Sequence, residues 1–333
     1  MAMDKYELHT FIARRHPNIC QIAAAKNGKL VYSDTWNGYG REDTVHAASV
    51  TKSVFALLMG IAVDRGLIES VSQKVLEFFP QYMPKKGEQA AQNVTLHHLM
   101  TMTAPYKYLT EPWTEVCTSG DWTLAALDLL GGQAGPDGGF NYSTLGIQIL
   151  SGILSAVGGM TALDFANEHL FMPLGIAPRR AYIAAGEAEQ MEFITSAGPK
   201  SGVWLCDPRG IPAAGFGLCL SAEEMCRLGL LCLNGGAAGG RRIVSSGWIA
   251  GMTTPYVECG EAFGHMKYGY LWWIPAGVRG AFAAMGDGGS IIYVEPGRKT
   301  VISIAAAFEP SAFDRTELVQ ECLEPFLESS LHV

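Results

Sequence analysis

At 333 residues, 48% hydrophobic and 17% charged, the chain has ample apolar material for one large or two intimate domains and little sign of disorder. Its net charge of −8, without a run of lysines or arginines, argues against nucleic acid or an anionic membrane surface as a partner. The N-terminus lacks an apolar signal core and no later stretch could span a bilayer, so the sequence reads as a soluble, cytoplasmic chain.

The predicted elements open with a hairpin. Two apolar runs, Ile19 to Ala25 and Leu30 to Asp34, flank Asn27-Gly28, a pair suited to a tight turn between strands. A helix follows from Ser49 to about Arg65, stopped by Gly66. From Ser70 to about Ala214 the pattern is mostly helical, with segments such as Thr95 to Met100 and Leu145 to Val157. Ser221-Ala222-Glu223-Glu224 reads as a capping box opening a helix to Leu233, closed by Asn234-Gly235-Gly236.

Strands then return at Tyr268 to Ile274, Ala281 to Gly286, Ser290 to Val294 and Val301 to Phe308, before a last helix from about Arg315 to Glu328. Strands at both ends with helices between predict one sheet built from the two chain ends: an α/β part of residues 1–69 and 215–333, and a mostly helical part of residues 70–214. The eight cysteines are scattered, without Cys-x-x-Cys or zinc-finger spacing, and read as buried free thiols; neither metal nor cofactor is expected.

Ser49-Val50-Thr51-Lys52 carries the most chemical information. On a helix, residues three apart share a face, so the lysine amine reaches the serine hydroxyl. A serine hydroxyl is a weak nucleophile until a base takes its proton, and a lysine in apolar surroundings loses solvation and becomes such a base. Alone, the same residues would also suit an N-cap serine and a snorkelling lysine. Two later segments bear on the choice: Gly139-Phe140-Asn141-Tyr142-Ser143-Thr144 before an apolar helix, and Met285-Gly286-Asp287-Gly288-Gly289-Ser290 before a strand.

Ser-x-x-Lys, then a tyrosine at a helix start, then a glycine-rich strand edge resembles the serine β-lactamase and penicillin-binding-protein superfamily, in its class C-like branch. The likeness runs from roughly Ile19 to Phe308. Within that branch Glu111-Pro112-Trp113, Phe140 to Ser143 and Gly286 to Gly289 look closest to 6-aminohexanoate-dimer hydrolases and family esterases.

The resemblance implies a β-lactamase-like antiparallel sheet flanked by helices, with a large helical insertion and the active site between the two parts. It also implies Ser49 as nucleophile, Lys52 and Tyr142 sharing its proton, and an oxyanion held by the backbone N–H groups of Ser49 and Asp287. Lys52 would hold Tyr142 as a phenolate. Trp113, Thr144, Gly286, Asp287 and Gly288 would touch substrate, although Trp113 suits a core equally well and the Asp287 side chain could face either way. Isolated, Tyr142 would suit a core and Gly286 to Gly289 an ordinary turn. His97, His98 and His265 read as structural, and Asp64, Asp121 and Asp137 as solvated or capping.

Two departures from the lactamase pattern stand out. Thr144 replaces the asparagine of Tyr-x-Asn, and the third motif has no lysine but an aspartate, Asp287. Both argue against efficient β-lactam hydrolysis. The expectation is a serine hydrolase acting on a small-molecule ester or amide through an acyl-enzyme. The alternatives are a genuine class C-like β-lactamase or penicillin-binding protein, and a catalytically silent binding homologue.

Overall fold

The computed structural model describes residues 3–84, 89–132, 136 and 139–330. It opens with a helix that the sequence reading missed, Lys5–Arg15 (α1). Asp4 caps it by accepting from Glu7 N at 2.8 Å, while the Glu7 carboxylate accepts from Asp4 N at 2.9 Å. Strands β1 (Ile19–Lys26) and β2 (Lys29–Thr35) follow, joined by Asn27 (φ 51°) and Gly28 (φ 80°), the two left-handed residues of a tight hairpin. Next come the central helix α2 (Val50–Asp64), then α3 (Gln148–Gly158) and α4 (Ala222–Leu233). The later strands are β3 (Val257–Glu258), β4 (Lys267–Tyr268), β5 (Trp273–Ile274), β6 (Phe282–Gly286), β7 (Ser290–Glu295) and β8 (Thr300–Ala306).

These eight strands form one antiparallel sheet in the order β2-β1-β8-β7-β6-β5-β4-β3, so the two chain ends meet where β1 pairs with β8. Strand alternation assigns the faces. Ser303 on β8 donates from Oγ to Ala222 O at 2.6 Å, and Ser33 on β2 donates to Glu223 at 2.8 Å, so α4 covers that face. A side chain at Gly229 of α4 would collide with Val301 and Ile292, which is how closely the helix lies on the sheet. On the opposite face Tyr32 meets Phe326 edge-on at 5.1 Å, and Gln320 donates to the Tyr293 hydroxyl at 3.2 Å, so the helical stretch 316–330 packs there. Coverage on both faces explains why β6, β7 and β8 are buried throughout and read as apolar runs rather than alternating ones.

Helix α2 is buried on every side from Val50 to Ala62, as its all-round apolar sequence requires. Residues 70–214 carry helices as expected, with one parallel strand pair, Arg180–Tyr182 and Val203–Leu205, that the sequence reading missed. A second correction concerns residues 268–274. The chain reverses there instead of running on as one strand: Leu271 takes φ 58°, and Tyr268 pairs back onto Trp273. The capping box at Ser221 forms as read, with Glu224 N donating to Ser221 Oγ and Ser221 N to Glu224. Asp64 accepts from Ser245 N at 2.5 Å, and Asp121 caps the helix Trp122–Leu127 and pairs with Arg209; Asp137 lies outside the described residues. All eight cysteines are free, seven of them buried. Among the described residues no single helix is long and apolar enough to cross a membrane.

Candidate active site

Helix α2 begins at a constrained point. Ala48 takes φ 47°, a conformation that costs a residue with a Cβ about 1–3 kcal/mol, and such strain concentrates at functional sites. Ser49 follows as the N-cap with helical angles, and its hydroxyl makes no capping bond. The plain N-cap role is therefore excluded. The first turn closes on three-residue bonds, Val50 N to Ala47 O at 3.1 Å and Lys52 N to Ser49 O at 3.0 Å, which bring positions three apart nearly into register.

Lys52 consequently lies over Ser49, its Nζ 2.8 Å from Oγ. The same nitrogen lies 2.9 Å from Gly215 O and 3.1 Å from Thr144 Oγ1. The side chain is only 1% exposed, and burial lowers its pKa to about 8, opposed by the negative charges of Glu111 and Asp287. A neutral amine has two N–H donors and one lone pair. Gly215 O can only accept and Thr144 can accept, which leaves the lone pair for the Ser49 proton. The three oxygens equally receive the three N–H donors of the ammonium, so the site accommodates the amine before and after it takes the serine proton.

Tyr142 is held in irregular backbone just before α3. Asn141 N donates to Met102 O at 2.6 Å and Ser143 N to Met102 Sδ at 3.4 Å, fixing the tyrosine from both sides. Its ring stacks on Trp273, with centroids 5.7 Å apart. Burial, followed by the charges of Asp287 and Glu111, pushes the phenol well above its ordinary pKa, with the neighbouring Ser49 hydroxyl pulling the other way. Lys52 Nζ stands 4.8 Å from the ring centroid, over the face. Burial therefore opposes the phenolate that the resemblance implies, while the Lys52 amine over the ring is the nearby group that would favour it.

Glu111 is the residue that sequence reasoning left without a role. Its Oε1 accepts from Leu145 N at 2.8 Å, Ser143 Oγ at 3.1 Å and Tyr108 OH at 3.3 Å. It thereby clamps the backbone immediately after Tyr142. Its place in the phrase Glu111-Pro112-Trp113 was the available signal.

Ser49 opens into a cleft of about 230 Å³ lined by His46, Ala48, Trp113, Thr144, Met191, Ile194, Phe216, Asp287 and Phe308. Trp113 is 39% exposed and meets Phe216 edge-on at 5.0 Å, so it walls the cleft rather than the core. Thr144 lines the cleft and also receives Lys52, a second task the sequence did not disclose. His46, also unforeseen, accepts from Gly217 N at 3.0 Å, and burial, with the Lys200 charge second, lowers its pKa to about 4, so it is a neutral wall residue. His97 contacts the Tyr270 hydroxyl at 3.1 Å and His98 accepts from Thr95 N at 3.1 Å; neither lines the cleft, nor does His265.

The third motif is the edge of β6. A Cβ on Gly286 would stand 2.5 Å from Ala47 O and 2.9 Å from Ser49 N, so only glycine lets this strand end touch the start of α2. Asp287 is exposed on the turn and lines the cleft, whereas Gly288 turns its carbonyl to Asn18 Nδ2 at 2.7 Å. Among the described residues Asp287 forms no ion pair, and Arg279 does not curl back to it. No group of three His, Cys, Asp or Glu side chains among them could hold a metal.

An antiparallel sheet flanked by helices, with a Ser-x-x-Lys at the head of the buried central helix, defines the β-lactamase-like fold. The sequence pattern of the β-lactamase family matches residues 19–321, and the chain belongs to that family. A 6-aminohexanoate-dimer hydrolase from Paenarthrobacter ureafaciens is 25% identical over 285 residues, which cover 80% of this chain and 66% of that protein, just under two thirds of its length. Among solved structures, the octameric penicillin-binding protein homologue from Pyrococcus abyssi matches with a TM-score of 0.68 at 23% identity, over 92% of this chain and 75% of that one. A penicillin binding protein from Bacillus halodurans matches with a TM-score of 0.68 at 17% identity, over 91% and 95% of the two chains. Likeness at these identities bears on the fold.

Proposed function

We propose that the protein is a serine hydrolase that cleaves an ester or small amide through an acyl-enzyme on Ser49. The observation that carries this reading is the 2.8 Å contact between Ser49 Oγ and a fully enclosed Lys52 amine. Lys52 takes the Ser49 proton as Oγ attacks the carbonyl carbon. The oxyanion forms between Ser49 N–H and Asp287 N–H, neither of which has an acceptor elsewhere among the described residues. As the bond to the leaving group breaks, the Tyr142 hydroxyl protonates the leaving oxygen or nitrogen and is reprotonated from Lys52. Water repeats the sequence in reverse roles to release the acid.

The cleft supports a substrate with an apolar acyl portion, given Trp113, Phe216, Ile194 and Phe308 on its walls. Among the described residues lining it, Asp287 supplies the acidic side chain and His46 is neutral. Neutral or amine-bearing substrates therefore fit better than anionic ones. The relative named for 6-aminohexanoate dimer supports a small amide as one candidate. Thr144 and Asp287 disfavour a β-lactam, and the intact Ser49–Lys52 contact disfavours a silent binder.

Initial rates on p-nitrophenyl esters, nitrocefin and 6-aminohexanoate dimer, with Ser49→Ala as the blank, test the reading. Turnover of an ester or the dimer that Ser49→Ala abolishes supports it. Nitrocefin as the best substrate would favour the lactamase alternative, and no turnover of any would favour the binder.

A further inference from the structure

The turn at 286–289 carries the proposed oxyanion donor and lies at the end of a strand, where its own residues close it through one backbone bond. Gly288 and Gly289 take φ 85° and 82°, and the turn's internal closure is Gly289 N to Gly286 O at 3.0 Å. Two glycines leave this backbone many alternatives. Its restraint comes from both ends of the chain. Asn18 Nδ2 donates to Gly288 O at 2.7 Å and to Ala307 O at 2.9 Å, and Asn18 O accepts from Ala307 N at 2.9 Å. Arg315 Nη2 in turn donates to Asn18 Oδ1 at 2.9 Å, which fixes which end of the amide faces the turn. Arg315 Nη1 lies 2.7 Å from His16 Nδ1. The arginine carries no acceptor, so His16 accepts and is neutral, as its burial and the Arg315 charge also favour. The guanidinium lies so close over Gly289 that any side chain there would strike Arg315 Nε.

We infer that Asn18, held by Arg315, is a positioning residue that aims the Asp287 N–H at the oxyanion by pinning the Gly288 carbonyl on the far side of the turn. The inference rests on the acyl-enzyme reading above. Asn18 touches no reacting atom. Its contribution is to remove the turn's freedom before the oxyanion forms, so that the donor needs no rearrangement during reaction. Arg315 contributes by spanning His16 and Asn18 with the two arms of one planar group, which a lysine cannot do.

The decisive variants are Asn18→Asp and Arg315→Lys, compared with the parent and Ser49→Ala. Asn18→Asp keeps an acceptor for Arg315 and strengthens that bond, so folding is retained, but it loses both donors and sets a carboxylate beside two carbonyls. It should lower kcat for the best p-nitrophenyl ester by about 10- to 100-fold with KM within about 3-fold, the scale of a displaced transition-state contact. Affinity for a boronic acid, which mimics the tetrahedral species, should fall in step with kcat/KM. Arg315→Lys should show the same split more weakly. Asn18→Asp with the parent's thermal midpoint, kcat and boronate affinity would overturn the inference, and so would a loss confined to KM. Ser49→Ala that kept the parent rate would instead overturn the acyl-enzyme reading, so the two failures are distinct.

Discussion

Lys52 Nζ stands over the face of the Tyr142 ring, 4.8 Å from its centroid, while lying 2.8 Å from Ser49 Oγ. The amine is thus placed to deprotonate the serine, and the phenol ring lies against that same amine. The two groups divide one proton's path: Lys52 accepts it and Tyr142 delivers it. A low pKa on the lysine and a high one on the tyrosine fit these opposite duties.

The pH profile follows from that division. Only neutral Lys52 can act as base, so kcat/KM should rise with pH through about 8 and level off above it. Asp287 raises the lysine pKa, so Asp287→Asn should move the rising limb to lower pH. Rates from pH 5 to 10 on a neutral ester check both directions; a limb near an ordinary histidine pKa, unmoved in Asp287→Asn, would contradict them.

Lys52→Ala and Tyr142→Phe should each lower kcat by about 100-fold or more. The double variant should be little worse than either single one, because both act on one proton. Steady-state kinetics of the four proteins give the answer, and multiplicative losses would point to separate proton paths.

Glu111→Ala should cost both stability and rate. Leu145 N loses its acceptor in a buried setting, worth about 1–3 kcal/mol in urea unfolding. Removing a negative charge near Lys52 also lowers its pKa further, so the rising limb should shift down in Glu111→Gln. A variant with parental stability and profile would show that the clamp after Tyr142 is dispensable.

Asp287 should set charge preference. A substrate carboxylate near it meets repulsion of about 1–4 kcal/mol, according to screening. Of matched neutral and carboxylated p-nitrophenyl esters, the neutral one should therefore react faster, with the gap narrowed by salt and by Asp287→Asn. Equal kcat/KM for the pair would remove Asp287 as a ground for disfavouring a β-lactam.

What was legible in the sequence was local. Asn27-Gly28, the Ser221 capping box and Ser49-x-x-Lys52 each place their partners within four residues, where backbone geometry alone dictates who meets whom. Glu111 was opaque because its partners, Ser143 and Leu145, stand 32 and 34 residues away. Thr144 likewise meets Lys52 across 92 residues. The run from Tyr268 to Ile274 has the composition of a strand, yet it reverses at Leu271, where Tyr270 N donates to Met252 O and Leu271 N to Met100 O at 2.9 Å each, partners far off in sequence that no local propensity signals. α1 was missed although Asp4 and Glu7 stood at capping-box spacing, because the helix they open buries only Leu8 and Ile12.

The central claim is that Ser49 forms a covalent acyl intermediate. Incubation with a fluorophosphonate, followed by peptide mass mapping, tests it most directly. One adduct per chain on the peptide bearing Ser49, with activity lost in proportion and labelling slowed in Lys52→Ala, is the predicted result. An adduct on another residue, or full inhibition with Ser49 unmodified, would contradict the account.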